Sequence, residues 1–318
     1  MNNCLKIAIF ECTMTNKTVL VTGGTGLIGK HLCRQLLDMG YRIYLLSRQA
    51  KPATDPRIKT FRWDIGQKSI DHACIADVDT VIHLAGEGIV DKRWTPQRKK
   101  DIIDSRTESI RLIYELIKNT PSTTVKNIIS AAAIGFYADR GDEMLTEEST
   151  AGNGFLAESC IAWEKAVDEG ESLGLRIVKF RTGIVLDTEG GALAEIARPV
   201  KFGLGAALGS GRQWVSWIHW KDVVKMYLFA LENCNLKGTF NMVGPHPVTN
   251  LELTKAIARQ LKKPLWLPAV PGFVLSLAMG EMSAAVLGST RVTAQKIQET
   301  GFEFDFPELE LALKDLYA

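Results

Sequence analysis

Three glycines at a fixed spacing are the first residues in this chain whose pattern could do chemistry. Gly23, Gly26 and Gly29 fall within the run Lys17 to Gly29, KTVLVTGGTGLIG, as G-x-x-G-x-x-G. A short apolar run, Thr18 to Val21, precedes them, and an amphipathic segment, Lys30 to Met39, follows at once. That order reads as a buried strand, a tight turn and a helix, the first half of a dinucleotide-binding βαβ unit. Gly23 permits the sharp turn, Gly26 lets the backbone approach a pyrophosphate, and Gly29 lets helix and strand pack closely. The helix N-terminus then offers free N–H groups and a partial positive charge to the phosphates. A glycine-rich turn alone is weak grounds for a nucleotide site; the strand before it and the helix after it supply the context.

A second position refines the first. Tyr41 to Ser47, YRIYLLS, reads as a parallel strand covered on both faces, and it ends at Ser47-Arg48. That is about twenty residues after the turn, where an acidic side chain would hold the ribose 2′-hydroxyl of NAD. An arginine there suits the 2′-phosphate of NADP in both charge and geometry. NADP is therefore the expected cofactor.

The elements that must position these residues follow in order. Ile58 to Trp63 reads as a third strand and Asp79 to Leu84 as a fourth, running into Ala85-Gly86-Glu87-Gly88. Small residues there let a cofactor pass close to the backbone, or simply make a turn. A long helix is expected from Pro96 to Lys118, with Pro96 in its first turn and Ile102, Ile103, Ile110, Ile113 and Leu116 as its apolar stripe. Val125 to Ala133 reads as the fifth strand, Tyr137 to Asn153 as a polar loop at an active-site edge, Gly154 to Ser172 as a helix, and Leu175 to Phe180 as the sixth strand. This alternation predicts an α/β fold with a doubly wound parallel sheet. Beyond residue 190 glycines become frequent, then a tryptophan-rich stretch, Gln213 to Trp220, leads to a helix at Lys221 to Leu231, a strand at Gly238 to Val243 and a helix at Val248 to Leu261. Short apolar segments from Lys262 onward suggest a small helical lobe.

Composition sets limits on function. The 318 residues are 46% hydrophobic and 23% charged, with 38 basic against 36 acidic side chains and a net charge of +2, which argues against a nucleic-acid surface. Lys92-Arg93 and Arg98-Lys99-Lys100 read as a solvated helix start. The longest apolar stretch, Val270 to Met279, contains Pro271 and Gly272 and falls short of the ~20 residues needed to span a bilayer, so no membrane partner is expected. Six scattered cysteines without a C-x-x-C pair fit reduced thiols in a cytoplasmic protein, and the five histidines show no metal-ligand spacing. Residues 1–16 read as an extension outside the fold, with Met14 an alternative start to Met1.

Several of these segments together resemble the extended short-chain dehydrogenase/reductases: the TGGTGLIG turn, the strand ending HLAGEG, the RTGIVL strand and the WIHWKD segment. Arg93-Trp94 with Ser105-Arg106, the segment Gly209 to Gln213, and the tail from Asn241 through Gly301-Phe302 to Leu309 are more specifically similar to the atypical epimerase-family branch, described as nucleoside-diphosphate-sugar epimerase-like. The likeness covers essentially Lys17 to Leu316. It implies an NADP-binding Rossmann domain over 17–189 and a smaller, mostly helical lobe over 190–318, with the chain crossing back to the sheet near 213–245. It also implies that the cofactor meets Gly23, Thr25, Gly26, Leu27 and Ile28 at the pyrophosphate, Ser47 and Arg48 at the 2′-phosphate, and Leu84, Ala85 and Gly86 along the ribose and adenine. Asp101, Arg106 and Val185 complete that implied shell.

The superfamily's hydride chemistry uses a Tyr-x-x-x-Lys pair and a nearby serine or threonine, the lysine lowering the tyrosine pKa so that the phenol exchanges a proton with the substrate hydroxyl. Where that pair belongs, this chain reads Phe155-Leu156-Ala157-Glu158-Ser159-Cys160, and the fifth strand ends Ser130-Ala131-Ala132-Ala133. Neither register offers a tyrosine or a lysine. Tyr137 is the nearest tyrosine and the candidate acid, or else a loop aromatic against the sheet end; Glu158 is a second candidate, and Lys165 is displaced from the spacing. Arg212, in GSGRQ, resembles a position where related enzymes hold a carboxylate or phosphate of the substrate. Trp214, Trp217 and Trp220 form either an aromatic wall or part of the core, and His219 with Asp222 stays unassigned. Three readings follow: an NADP-dependent oxidoreductase or epimerase-like enzyme acting on a small hydroxylated or nucleotide-linked substrate, a catalytically silent NADP(H)-responsive module, and a structural partner paired as a homodimer through helices 96–118 and 154–172.

Overall fold

The computed structural model describes residues 18–49 and 53–318, so the expectations for residues 1–16 and for Lys17 lie outside the described residues. Eight strands form one sheet: β1 (Thr18–Thr22), β2 (Arg42–Ser47), β3 (Ile58–Asp64), β4 (Ser69–Ile70), β5 (Thr80–His83), β6 (Asn127–Ala133), β7 (Arg176–Thr182) and β8 (Gly238–Met242). Their order is β8-β7-β6-β5-β1-β2-β3-β4, and every neighbouring pair is parallel except β3 with β4. From β1 the chain winds outward through β2 and β3, then returns to β5 on β1's other side. That reversal opens a crevice at the carboxyl ends of β1 and β5, where ligands of such sheets bind.

Both faces of the sheet are covered, which is why β1 is buried at all five positions and shows no alternation. On one face α1 (Leu27–Asp38) and α5 (Trp220–Glu232) pack through Leu32, Leu36, Val223 and Tyr227. On the other, α2 (Pro96–Lys118) and α3 (Phe155–Asp168) contribute Ile110, Ile113, Leu116, Trp163 and Val167. The Thr95 side chain caps α2 by accepting from Arg98 N, with Pro96 at the first helical position. Two helix boundaries differ from the sequence pattern by three residues or more. Helix α1 starts at Leu27, three residues early, because the apolar periodicity is hidden where the glycine turn already runs into the helix. Helix α3 ends at Asp168 and tightens into a 3₁₀ turn over Glu169–Leu173.

The C-terminal part has its own core, where α4 (Gly191–Lys201), α6 (Asn250–Gln260) and a last helix at Leu309–Leu316 bury Leu193, Val200, Leu253, Ile257 and Leu313 together. A capping box between Thr249 and Glu252 starts α6. Residues 220–242 build α5 and β8 of the sheet layer, so the lobe is discontinuous in sequence. Asp222, buried at the start of α5, accepts from Asp305 N and Phe306 N and ties the tail to that layer. Among the described residues, Cys33, Cys74 and Cys160 are free and buried. Among the described residues, no helix is long and apolar enough to cross a membrane.

Candidate functional site

The glycine turn is shaped by what cannot fit there. Gly23 has φ +67°, and a Cβ on it would lie 2.8 Å from the Leu84 carbonyl. A Cβ on Gly29 would lie 2.2 Å from Gly23 O and 2.6 Å from Gly24 Cα, both backbone atoms. The Gly26 N–H closes the turn onto Gly23 O at 3.0 Å. Thr22 Oγ1 accepts from Leu84 N and Ala85 N, each at 3.0 Å, and so clamps the exit of β5 against the exit of β1. Helix α1 then begins with Gly26 as its cap, with no side-chain capping bond and no acidic residue in its first turn. Thr25 and Gly26 are exposed. The result is a turn whose first helical N–H groups no side chain claims, an arrangement suited to an anion.

Beside this turn lies a charged cluster. The Arg48 side chain is 83% exposed and reaches Glu87 Oε1 at 3.8 Å. Glu87 Oε2 accepts from the largely buried Arg98 (Nη1, 3.0 Å), whose Nη2 donates to Gly88 O at 2.7 Å. Arg106 donates to Glu87 O (2.9 Å) and Ile102 O (2.8 Å), with its guanidinium 5.0 Å from the Trp163 ring centroid. Arg106 thereby fixes the loop after β5. Ser47 accepts from Gln49 N at 3.2 Å. Val185 lies in a short strand at Ile184–Leu186, and a Cβ on Gly191 would lie 3.8 Å from its carbonyl oxygen and 3.1 Å from Leu27 Cδ2 at the start of α1. Asp101 is exposed and accepts from Gln97 Nε2 on its own helix. Sequence reasoning missed Glu87 and Arg98. The acid in AGEG was the available signal, but Arg98 sat in a cluster assigned to a solvated helix start.

At the other end of the cleft the start of α3 carries Phe155. Its ring meets Trp94 edge-on at 4.8 Å between centroids, and Lys99 Nζ sits 5.3 Å from its centroid while pairing with Glu281. Ser159 and Cys160 are buried, and burial, with Glu164 adding to it, pushes the Cys160 thiol up to about 12. Ser130 is turned inward: its Oγ lies 3.0 Å from His83 Nδ1, and His83 Nε2 lies 2.7 Å from Ser109 Oγ. Burial, helped by Arg106, lowers the His83 pKa to about 3, so the imidazole stays neutral.

Tyr137 does not face the cleft as the expected acid. It is completely buried, donates to Asn241 Oδ1 at 2.7 Å and accepts from Arg181 Nη1 at 2.9 Å. Arg181 in turn grips Glu164 with two bonds, Nε to Oε1 at 2.7 Å and Nη2 to Oε2 at 2.9 Å. Burial raises the Tyr137 pKa, with Arg181 acting in the opposite direction. Glu158 and Lys165 are exposed on α3.

The remaining candidates scatter. Arg212 is exposed, with only its own N–H bonded to Ser210 Oγ. The three tryptophans make no common wall: Trp214 donates to Asp142, Trp217 is fully buried and donates to His246 O, and Trp220 stacks on His31 at 4.0 Å. His219 accepts from Lys221 N and stacks on Phe306 at 3.9 Å, while Asp222 holds the tail. No group of three or more His, Cys, Asp or Glu among the described residues could hold a metal ion.

A parallel sheet that reverses its order beside a glycine turn, with a helical lobe at one side, defines the doubly wound, Rossmann-like class. The chain belongs to the NAD dependent epimerase/dehydratase family, whose model matches residues 19–244, and residues 270–316 match a domain of unknown function, DUF1731. It is similar to the epimerase family protein YfhF of Bacillus subtilis (strain 168), 36% identical over 301 residues and covering 94% of this chain and 98% of that one. Among solved structures it resembles the human epimerase family protein SDR39U1 (isoform 2) with NADPH, at TM-score 0.82 and 30% identity, over 94% of this chain and 99% of the human one. A nucleoside-diphosphate sugar epimerase from Corynebacterium glutamicum matches at TM-score 0.76 and 30% identity, over 95% of this chain and 59% of that one.

Proposed function

We propose that the chain binds NADP(H) in the crevice at β1 and β5 and acts there on a small hydroxylated or nucleotide-linked substrate, as an epimerase-like or oxidoreductase-like protein. The observation that carries this reading is the pairing of an unclaimed helix start with Arg48. Phosphate bridges fit the first-turn N–H groups of α1. Arg48, exposed and only loosely approached by Glu87, is free to turn onto a 2′-phosphate. Arg98 already neutralises Glu87 from the other side, which lessens the repulsion that this carboxylate would exert on a phosphate. The human relative solved with NADPH supports the same choice.

A bound nicotinamide would supply hydride transfer; the chain would have to supply proton transfer. Phe155 and the inward-facing Tyr137 offer no phenol at the expected place, and this favours a second reading, a cofactor-holding module without turnover. Titrations with NADPH and NADH test the first step. Arg48→Asp should weaken NADPH by more than about tenfold while changing NADH far less, because it removes the phosphate partner and adds repulsion. Equal loss of both cofactors would sink the 2′-phosphate reading. Incubating the NADPH-loaded protein with nucleotide-sugars and small hydroxy compounds, and following nicotinamide absorbance and product isomers, then separates the two readings.

A further inference from the structure

The most exposed large apolar side chains are gathered on one side of the C-terminal lobe. Phe202, Leu204, Trp266, Phe273 and Leu277 are each more than half exposed. They belong to one connected surface. Trp266 Nε1 donates to Gly203 O at 3.0 Å, Val270 N to Ala207 O at 2.8 Å, and Gly209 N to Val270 O at 2.9 Å. The two segments therefore run side by side and lead into α7 (Gly272–Met279, GFVLSLAM), which buries none of its residues. Phe273 and Leu277 are four residues apart and share a helix face. An apolar helix with no buried residue takes little stability from the fold it sits on, and an exposed patch of this kind marks an interaction surface.

Charge says what that surface meets. Lys201 precedes Phe202, and Lys262 and Lys263 precede Trp266; all three are exposed, and among the described residues none has a carboxylate within ion-pair distance. The stretches 196–221 and 253–280 contain no acidic residue at all. We infer that this face docks onto the headgroup region of a membrane carrying anionic lipids. Tryptophan, phenylalanine and leucine enter the interface while the lysines at the rim meet lipid phosphates. A second copy of the chain fits less well, since a two-fold contact would set the unpaired lysines of one patch against those of the other. The sequence expectation of no membrane partner rested on the lack of a spanning segment, and surface docking needs none. The face borders the cleft: α7 leads into Glu281, which pairs with Lys99 beside Phe155.

The test is co-sedimentation of the full chain with phosphatidylcholine vesicles, with and without phosphatidylglycerol, at low and high salt. Binding to the anionic vesicles that weakens with salt is expected. The double variant Phe273→Asp/Leu277→Asp should weaken it at least about tenfold with an unchanged thermal melt, because both side chains are exposed. Lys262→Glu/Lys263→Glu should remove the preference for anionic lipid. Failure to bind either vesicle, or equal and salt-independent binding to both, would overturn the inference. A dimer in light scattering that the aspartate variant returns to monomer, without vesicle binding, would also overturn it by assigning the face to a second copy. No cofactor enters the measurement, so its outcome is independent of the NADP(H) reading.

Discussion

At the glycine turn the chain leaves backbone N–H groups unclaimed by side chains, whereas around the ends of β6 and β7 the polar side chains are already taken up by one another. Thr22, Gly23 and Gly29 hold two strand exits and a helix start together with almost no side-chain bulk. Across the crevice, Tyr137, Asn241, Arg181 and Glu164 form a chain of hydrogen bonds, and Ser130, His83 and Ser109 form another. The first region is organised to receive something; the second is organised to satisfy itself. Buried polar groups that are fully paired make a site rigid, and they have no capacity left for a substrate. Holding a cofactor and moving a proton are thus separable demands, and this fold meets the first much more visibly.

The contrast breaks most completely at Gly29. A valine there sets a Cβ 2.2 Å from Gly23 O, and backbone cannot move aside as a side chain can. Gly29→Val should lose NADPH binding by more than about 1000-fold, or about 4 kcal/mol, in a fluorescence titration. Gly24→Ala offers a control: its Cβ meets Leu45 Cδ1 at 2.4 Å and Cys33 Sγ at 3.1 Å, both ends of side chains that can shift. Binding by Gly29→Val as tight as in the parent would show that the turn is not the cradle.

The next effect falls on the other region and on stability instead of binding. Glu164 is buried between Arg181 and Lys179, the latter 3.6 Å away. Glu164→Gln keeps the shape but leaves the buried Arg181 without its carboxylate, while Lys179 keeps Asp168 at 2.7 Å, and this should cost about 3 kcal/mol. Denaturant unfolding measures that loss. NADPH affinity should hardly change. A large loss of affinity with unaltered stability would mean that Glu164 belongs to the cleft after all.

How much of this was legible beforehand follows the same division. The sheet and its turn could be read because apolar runs and glycine spacing are local in sequence. So could Arg48, which follows directly from where β2 ends. Glu87 with Arg98 and Tyr137 with Arg181 could not, because each pair joins residues from different elements, and only the fold decides which face they share. Tyr137 looked available because a polar loop follows it, yet a 3₁₀ turn at Ile134–Phe136 turns the ring inward beneath that loop. Exposure cannot be read from residue type alone. The outward side of α2 and α3 makes the same point: it carries Lys100, Glu115, Glu158 and Lys165 with Ile161 among them, a charged surface for the proposed homodimer contact.

The smallest predicted effect is the most discriminating. Tyr137→Phe deletes a hydroxyl that donates to Asn241 and accepts from Arg181. Arg181 keeps its bidentate grip on Glu164, and Asn241 keeps its bonds to Glu147 and Thr293, so the network loosens without opening. A buried acceptor left short of one donor costs about 1 to 3 kcal/mol, which unfolding experiments resolve. NADPH affinity should stay within about twofold, well under the 1.4 kcal/mol of a tenfold change. If the wild type shows turnover on any substrate, the variant should retain it, since a phenol with no exposed surface cannot meet a substrate hydroxyl in this conformation. Abolished turnover with unchanged stability would reverse that conclusion. It would mean that the loop opens to bring Tyr137 into the cleft, and the two regions would then be one site.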